Sequence, residues 1–417
     1  MNAQAPTGMI VDLASEDPST HHLTEGRSRR GFLKSVAAFA AAAVGWISTS
    51  DAGAIGTPQT IHLTDSVQGN LMPLEIICLE EHTVDAEIAK ATRSAALKEA
   101  PYAGDVNSIY HDDSVAQPTD RPRFVESKTA FRLAGRSIAD RLPAMDQAGI
   151  DMQIVSYSNA TQDAPPTQAT SLAQAANDRL ADAVRKHPSR LGGFCTLPWQ
   201  DTHAAVREIE RCVQQLDLRA TLLIGRPGKS VFLEEKQFEP ILAKLAELDT
   251  PLYIHPGAPL LQVQQPYYGG LNKEVTARLS LFGWGWHHEA GIQVVRLILS
   301  GALDRHPKLK IISGHWGEMV PFFLQRLDDM IPQGATGLRR TITQTYRDQV
   351  WVTPSGMLNM PHFNFIRETL GYERIMFSVD YPYLTMTGAR SWLEHLPVAD
   401  KERVAIASGN ARKLFRL

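Results

Sequence analysis

The sequence predicts a closed (β/α)8 TIM barrel with an irregular insertion after its first strand, and three observations predict it. Short apolar runs alternate with amphipathic stretches about eight times over roughly 340 residues, the pattern of a parallel sheet wrapped by helices. No internal repeat accompanies the alternation, and neither Gly-x-Gly-x-x-Gly nor Gly-x-x-x-x-Gly-Lys-Ser/Thr follows any run, which leaves an open nucleotide-binding sheet with little support. Several runs end in a histidine or a carboxylate, and in α/β folds ligands sit outside the carboxyl ends of the strands.

The chain has 417 residues, 43% apolar and 21% charged, with a net charge of −3. That composition supports a large core and argues against a nucleic-acid partner, since no basic stripe stands out. The three cysteines, Cys78, Cys195 and Cys212, are irregularly spaced and form neither a disulfide framework nor a Cys-x-x-Cys knuckle. Residues 1–26 are polar and aperiodic. Ser28-Arg29-Arg30-Gly31-Phe32-Leu33-Lys34 then precedes an uncharged, alanine-rich run from Ser35 to Ser50 and a small-x-small site at Ala52-Gly53-Ala54. This is the order of an export signal, its paired arginines resembling the twin-arginine type. The apolar run is short for a membrane span. Residues 1–54 are therefore read as a disordered N-terminus and twin-arginine signal, residues 55–417 as the barrel domain, and the mature protein as periplasmic with no membrane span.

The elements follow in order. Leu74–Leu79 reads as the first strand, ending in Glu80-Glu81-His82. From about Thr92 to Glu126 no period is visible, which marks the insertion. Arg136–Ala148 has helical spacing and is closed by Gly149. Asp151–Ser156, Leu191–Leu197 and Thr221–Ile224 read as strands two to four, separated by helices at Thr170–His187 and Thr202–Leu216. A helix at Glu239–Leu248 precedes strand five, Pro251–His255, and a long loop runs from Ala258 to Glu274. A helix at Ile292–Leu303 leads to strand six, Leu309–Ile312, which stops at Ser313-Gly314-His315, with Glu318 opening the next helix. Val350–Thr353 and Ile375–Val379 complete the strands, the last ending in Asp380-Tyr381-Pro382. Helices at Phe363–Leu370 and Lys401–Phe415 close the chain.

Side chains two apart on a strand share a face, so Glu80 and His82 can both look into the barrel while Glu81 looks away. With His255, His315 and Asp380 at other strand ends, imidazoles and carboxylates converge on one mouth. That is a ligand set for a divalent metal such as zinc or manganese. Two buried carboxylates without a cation would repel and lose solvation at a cost of several kcal/mol. His287-His288 projects to different sides of a helix and is read as surface or loop.

Taken together, Leu79-Glu80-Glu81-His82, Tyr253-Ile254-His255-Pro256, Ser313-Gly314-His315-Trp316-Gly317-Glu318 with Arg326, Phe377-Ser378-Val379-Asp380-Tyr381-Pro382 and Gly409-Asn410-Ala411 resemble the amidohydrolase-2 family. Within it they are similar to the metal-dependent hydroxybenzoate decarboxylases of the γ-resorcylate type, over roughly residues 74–417. The resemblance implies Glu80, His82, His255 and Asp380 as metal ligands, and His315 with Glu318 as a pair shaping the substrate side. Arg326 matches a family arginine, read either as a substrate contact or as a helix-surface or subunit-contact charge. The implied reaction is non-oxidative decarboxylation of a hydroxylated aromatic acid. Asp380 would protonate the ring carbon, and Asn159, the Ala164-Pro165-Pro166 loop and Tyr267-Tyr268 would wall the ring. A homo-oligomer is implied as well. The alternative is a metal-dependent hydrolase of an amide, ester or lactone, with Asp380 as general base.

Overall fold

The computed structural model describes residues 73–107 and 118–417. The expected export signal and cleavage site lie outside the described residues, as do residues 55–72 of the expected barrel domain. Eight parallel strands form the sheet: β1 (Ile77–Thr83), β2 (Met152–Tyr157), β3 (Leu191–Cys195), β4 (Ala220–Ile224), β5 (Leu252–His255), β6 (Ile311–Ser313), β7 (Val350–Val352) and β8 (Phe377–Ser378). Their order is β7-β6-β5-β4-β3-β2-β1-β8, and a parallel bridge from Val352 to Ile375 joins the two ends into a cylinder. The predicted TIM barrel is the observed fold.

The strands are buried on both faces, which is why they read as continuous apolar runs rather than alternating ones. Ile77, Leu79, Ile154, Phe194, Tyr253 and Ile312 fill the interior. The C-terminal Asn410–Phe415 helix stoppers one end of it, with Phe415 edge-on to Phe194 at 5.7 Å. A second, larger apolar layer lies between the strands and the surrounding helices. All three cysteines are buried and free.

Several expectations are corrected. The irregular stretch from Thr92 begins inside a helix, Ala86–Glu99, capped by the Asp85 carboxylate on the Glu87 and Ile88 amides. Only Ile88 and Thr92 of this helix are buried, so its period is faint in the sequence. The long loop after β5 contains two helices, Leu261–Tyr268 and Lys273–Ser280, the first with Pro266 inside it. The helix expected from Ile292 starts at Gly285. β1 lies further along the chain than expected, so Glu80, Glu81 and His82 are inside the strand rather than beyond it.

Candidate metal centre

Glu80 enters the barrel through a distortion. The β1–β2 register slips between Leu79 and Glu81, and Glu80 has φ +64°, a left-handed conformation that a side chain disfavours. The slip is a bulge, and it turns the Glu80 carboxylate inward with His82. One oxygen, Oε2, accepts hydrogen bonds from the Ser355 hydroxyl, from Thr353 Oγ1 at 3.3 Å and from Ser378 Oγ at 3.3 Å. The other, Oε1, is buried with no hydrogen-bond partner.

The two histidines beside it are aimed the same way. His82 Nδ1 is 3.0 Å from Ser156 Oγ, and His255 Nδ1 is 2.8 Å from the Pro256 carbonyl. Both rings are thereby fixed from behind, leaving each Nε2 facing the centre. His255 Nε2 lies 3.7 Å from Glu80 Oε1, and His82 Nε2 lies 3.2 Å from Asp380 Oδ1. Despite that proximity His82 Nε2 makes no hydrogen bond, because the geometry is off the N–H line. Glu80, His82 and His255 place one ligand atom each within 4.8 Å of one another.

Asp380 is held at the tip of the loop after β8, with φ +72°. Glu81, facing away from the interior as expected, is nonetheless buried, and it grips the main chain on both sides of Asp380. Its Oε1 accepts from the Val379 amide at 2.9 Å and its Oε2 from the Tyr381 amide at 3.0 Å. Arg141 braces the same region by donating to the His82 carbonyl at 2.7 Å. Sequence reasoning does not reach the roles of Glu81 and Arg141, because Glu81 faces away from the barrel interior and Arg141 belongs to a helical stretch before β2.

Burial sets the charge of the cluster. It pushes the Glu80 carboxyl above its ordinary range, against the neighbouring His315 charge. It also holds His255 well below the usual imidazole value, an effect His82 reinforces. An orphaned carboxylate oxygen, an orphaned imidazole nitrogen and a second carboxylate around one point fit a divalent cation, which would satisfy all of them.

A second cluster adjoins the first. After β6 the chain takes five left-handed residues in succession, His315, Trp316, Gly317, Glu318 and Met319, with φ between +47° and +88°. The expected helix therefore begins only at Val320. His315 Nδ1 sits 2.7 Å from Glu318 Oε1, and His287 Nδ1 sits 2.8 Å from Glu318 Oε2. Burial would discharge this pair, but attraction wins. The Glu318 and Glu80 carboxylates push His315 up to about 10, and His315 and His287 hold Glu318 below its ordinary value. The reading of His287 as surface is thus corrected: it points inward, while His288 is exposed. A helical wheel separates the two neighbours but does not say which one faces inward.

One further expectation gives way, and Arg326 falls on the surface side of its two readings. Asn159 commits its side-chain amide to the Asp85 backbone, accepting at 3.2 Å and donating at 2.7 Å, so it braces β2 against the first helix instead of facing substrate. Arg326 lies on the exposed face of the Val320–Met330 helix, about 9 Å along it from Val320. Within one chain it is a surface charge. Of the expected ring walls, Tyr267 is 66% exposed and Tyr268 is buried in packing. The aromatic groups beside the centre are others. Trp286 lies 6.3 Å from the His255 ring, Tyr383 lies 5.6 Å from the His82 ring, and Phe282 packs on Trp286 and stacks on Phe124.

A parallel barrel with this histidine–carboxylate mouth defines the class. The chain belongs to the Amidohydrolase family, whose model matches residues 95–417. Among its relatives is the gamma-resorcylate decarboxylase of Polaromonas sp., 33% identical over 321 residues, covering 72% of this chain and 94% of that one. Among solved structures, the 5-carboxyvanillate decarboxylase of Sphingomonas paucimobilis superposes with a TM-score of 0.71 at 29% identity, covering 82% of this chain and 99% of that one. A dihydroxybenzoic acid decarboxylase from Polaromonas sp., solved with bound manganese and the inhibitor 2-nitroresorcinol, gives 0.69 at 29% identity, covering 82% and 97%.

Proposed function

We propose that this protein is a carboxy-lyase that removes CO2, without oxidation, from a hydroxylated aromatic carboxylic acid. The observation that carries this reading is the cluster of Glu80, His82 and His255, with Asp380 Oδ1 3.2 Å from His82 Nε2 and with buried atoms of Glu80 and His82 left unpaired beside it. Relatives named as decarboxylases of resorcylate and carboxyvanillate supply the substrate class. Glu80, His82, His255 and Asp380 would hold the metal, and the manganese in a relative makes manganese, with zinc, the ion to test first. When bound, a dication supplies Lewis acidity for the substrate carboxylate and an adjacent phenolic oxygen.

The chain's own residues do the rest. Asp380, in its protonated form, hands its proton to the ring carbon that bears the carboxylate. The bond to the carboxylate then breaks, its electron pair returns to the ring, and CO2 leaves as aromaticity is restored. Asp380, 17% exposed, regains a proton from solvent. His315, kept charged by Glu318, donates to the phenolic oxygen and steadies its negative charge. Trp286, Phe282 and Tyr383 present ring faces and edges suited to a flat aromatic substrate.

The test is CO2 release by metal-loaded protein from 2,6-dihydroxybenzoate and its isomers, alongside a panel of lactones and aryl esters. Release of CO2 supports the reading. Hydrolysis without CO2 would replace it with the hydrolase alternative. Export by the twin-arginine pathway and homo-oligomer formation belong to the same proposal. The first rests on residues 28–54 of the sequence, the second on the family resemblance.

A further inference from the structure

His287 joins two parts of the mouth that are otherwise separate. It lies in the first turn of the Gly285–Leu299 helix, which approaches the left-handed turn after β6 unusually closely. A Cβ on Gly291, one helical turn further along, would stand 2.5 Å from the Glu318 carbonyl oxygen. Glycine at 291 lets the helix in, and His287 on the same face then reaches the Glu318 carboxylate. The His287 and His315 rings meet edge to face at 4.3 Å, one on each carboxylate oxygen.

The far side of the ring is also occupied. His287 Nε2 lies 3.1 Å from the Trp286 indole Nε1 and 3.0 Å from the Phe282 carbonyl oxygen. These partners are opposite in kind. A neutral ring, with its proton on Nδ1 toward Glu318, accepts from the indole N–H. A charged ring donates from Nε2 to the Phe282 carbonyl instead. In either state His287 holds the segment that carries Trp286 and Phe282, the two rings on the His255 side of the mouth.

We propose that His287 is a positioning residue that clamps the Glu318 carboxylate with one ring nitrogen and the aromatic wall with the other. The ring slot and the His315–Glu318 pair are thereby kept at one spacing. A substrate ring resting on Trp286 would then present its oxygen to His315 without either side having to rearrange. The kinetic part of this inference rests on the decarboxylase reading; the clamp itself does not.

The test compares His287→Leu, which removes both contacts, with His287→Asn, whose Nδ2 can replace the donor to Glu318, and with Trp286→Phe, which keeps a ring but drops the indole N–H. All are full-length and metal-loaded. In protein labelled with 15N-tryptophan, the indole signal absent from Trp286→Phe identifies Trp286. Its solvent exchange is expected to be at least about 10-fold faster in His287→Leu. With 2,6-dihydroxybenzoate, His287→Leu is expected to lose about 10- to 100-fold in kcat with KM changed less than about 3-fold. His287→Asn is expected to recover most of the kcat. An unchanged Trp286 indole in His287→Leu would overturn the clamp, and equal losses in kcat for the Leu and Asn variants would overturn the role through Glu318. If His287→Leu fails to fold, the indole exchange and kcat of His287→Asn decide. Wild-type protein silent toward every aromatic acid would defeat the decarboxylase reading while leaving the indole measurement to judge the clamp.

Discussion

Two clusters of imidazole and carboxylate lie side by side at the barrel mouth and balance charge in opposite ways. Around Glu318, each carboxylate oxygen has an imidazole within 2.8 Å, and the group is complete with protein atoms alone. Around Glu80, one oxygen is satisfied by hydroxyls and the other faces His255 and His82 with no hydrogen bond. The clusters nearly touch, His315 Nδ1 lying 3.8 Å from Glu80 Oε1. The contrast separates two residue roles that look alike in a sequence. A self-neutralised pair positions and donates, whereas an incomplete one is built to receive a cation.

The sharpest way to break that contrast is at the proposed proton donor. Asp380→Asn is expected to lower kcat by about 10³- to 10⁴-fold, measured as CO2 release. Residual activity within 10-fold of wild type would remove Asp380 from proton transfer. Next come the two glutamates, compared in metal-free protein by denaturant unfolding. Glu318→Gln breaks a complete buried pair and is expected to cost about 3–5 kcal/mol. Glu80→Gln removes an uncompensated buried charge and is expected to cost little or to stabilise. Equal losses for the two would mean that the clusters do not differ in kind.

Metal loading should act on one cluster only. Adding manganese at about 100 times its Kd is expected to stabilise wild type by about 2.7 kcal/mol and Glu80→Gln far less, read from unfolding midpoints. The pH dependence reports the other cluster. His315 has a folded value of about 10, above the ordinary value near 6.5 expected for the unfolded chain. Its contribution to metal-free stability is therefore fully present below about pH 6.5 and lost as pH rises through about 10. In Glu318→Gln that decline should be smaller, since Glu80 remains to hold the His315 charge. The smallest effect is expected at Asn159→Ala, about 1 kcal/mol of stability with kcat within 2-fold of wild type, since its amide braces Asp85.

Much of this arrangement is legible in the sequence because strand ends are local. Glu80-x-His82, His255, His315 and Asp380 follow apolar runs, and a closed barrel brings such ends together whatever lies between them. What escaped depends on the backbone or on distant partners. The bulge at Glu80 and the left-handed turn from His315 to Met319 have no period to detect, and the turn mimics a helix start by bringing Glu318 three residues after His315. His287 is one of two adjacent histidines, and only the packing of its helix on the Glu318 carbonyl decides which faces inward. Asn159 invites over-reading for the converse reason: a polar side chain near a strand end also serves as a brace.

The most direct test is the anomalous scattering of manganese in crystals of the metal-loaded protein. A single peak is expected, about 2.0–2.3 Å from an oxygen of Glu80, Nε2 of His82, Nε2 of His255 and an oxygen of Asp380. No peak at that point, or one at His287, His315 and Glu318 instead, would contradict the division between the two clusters.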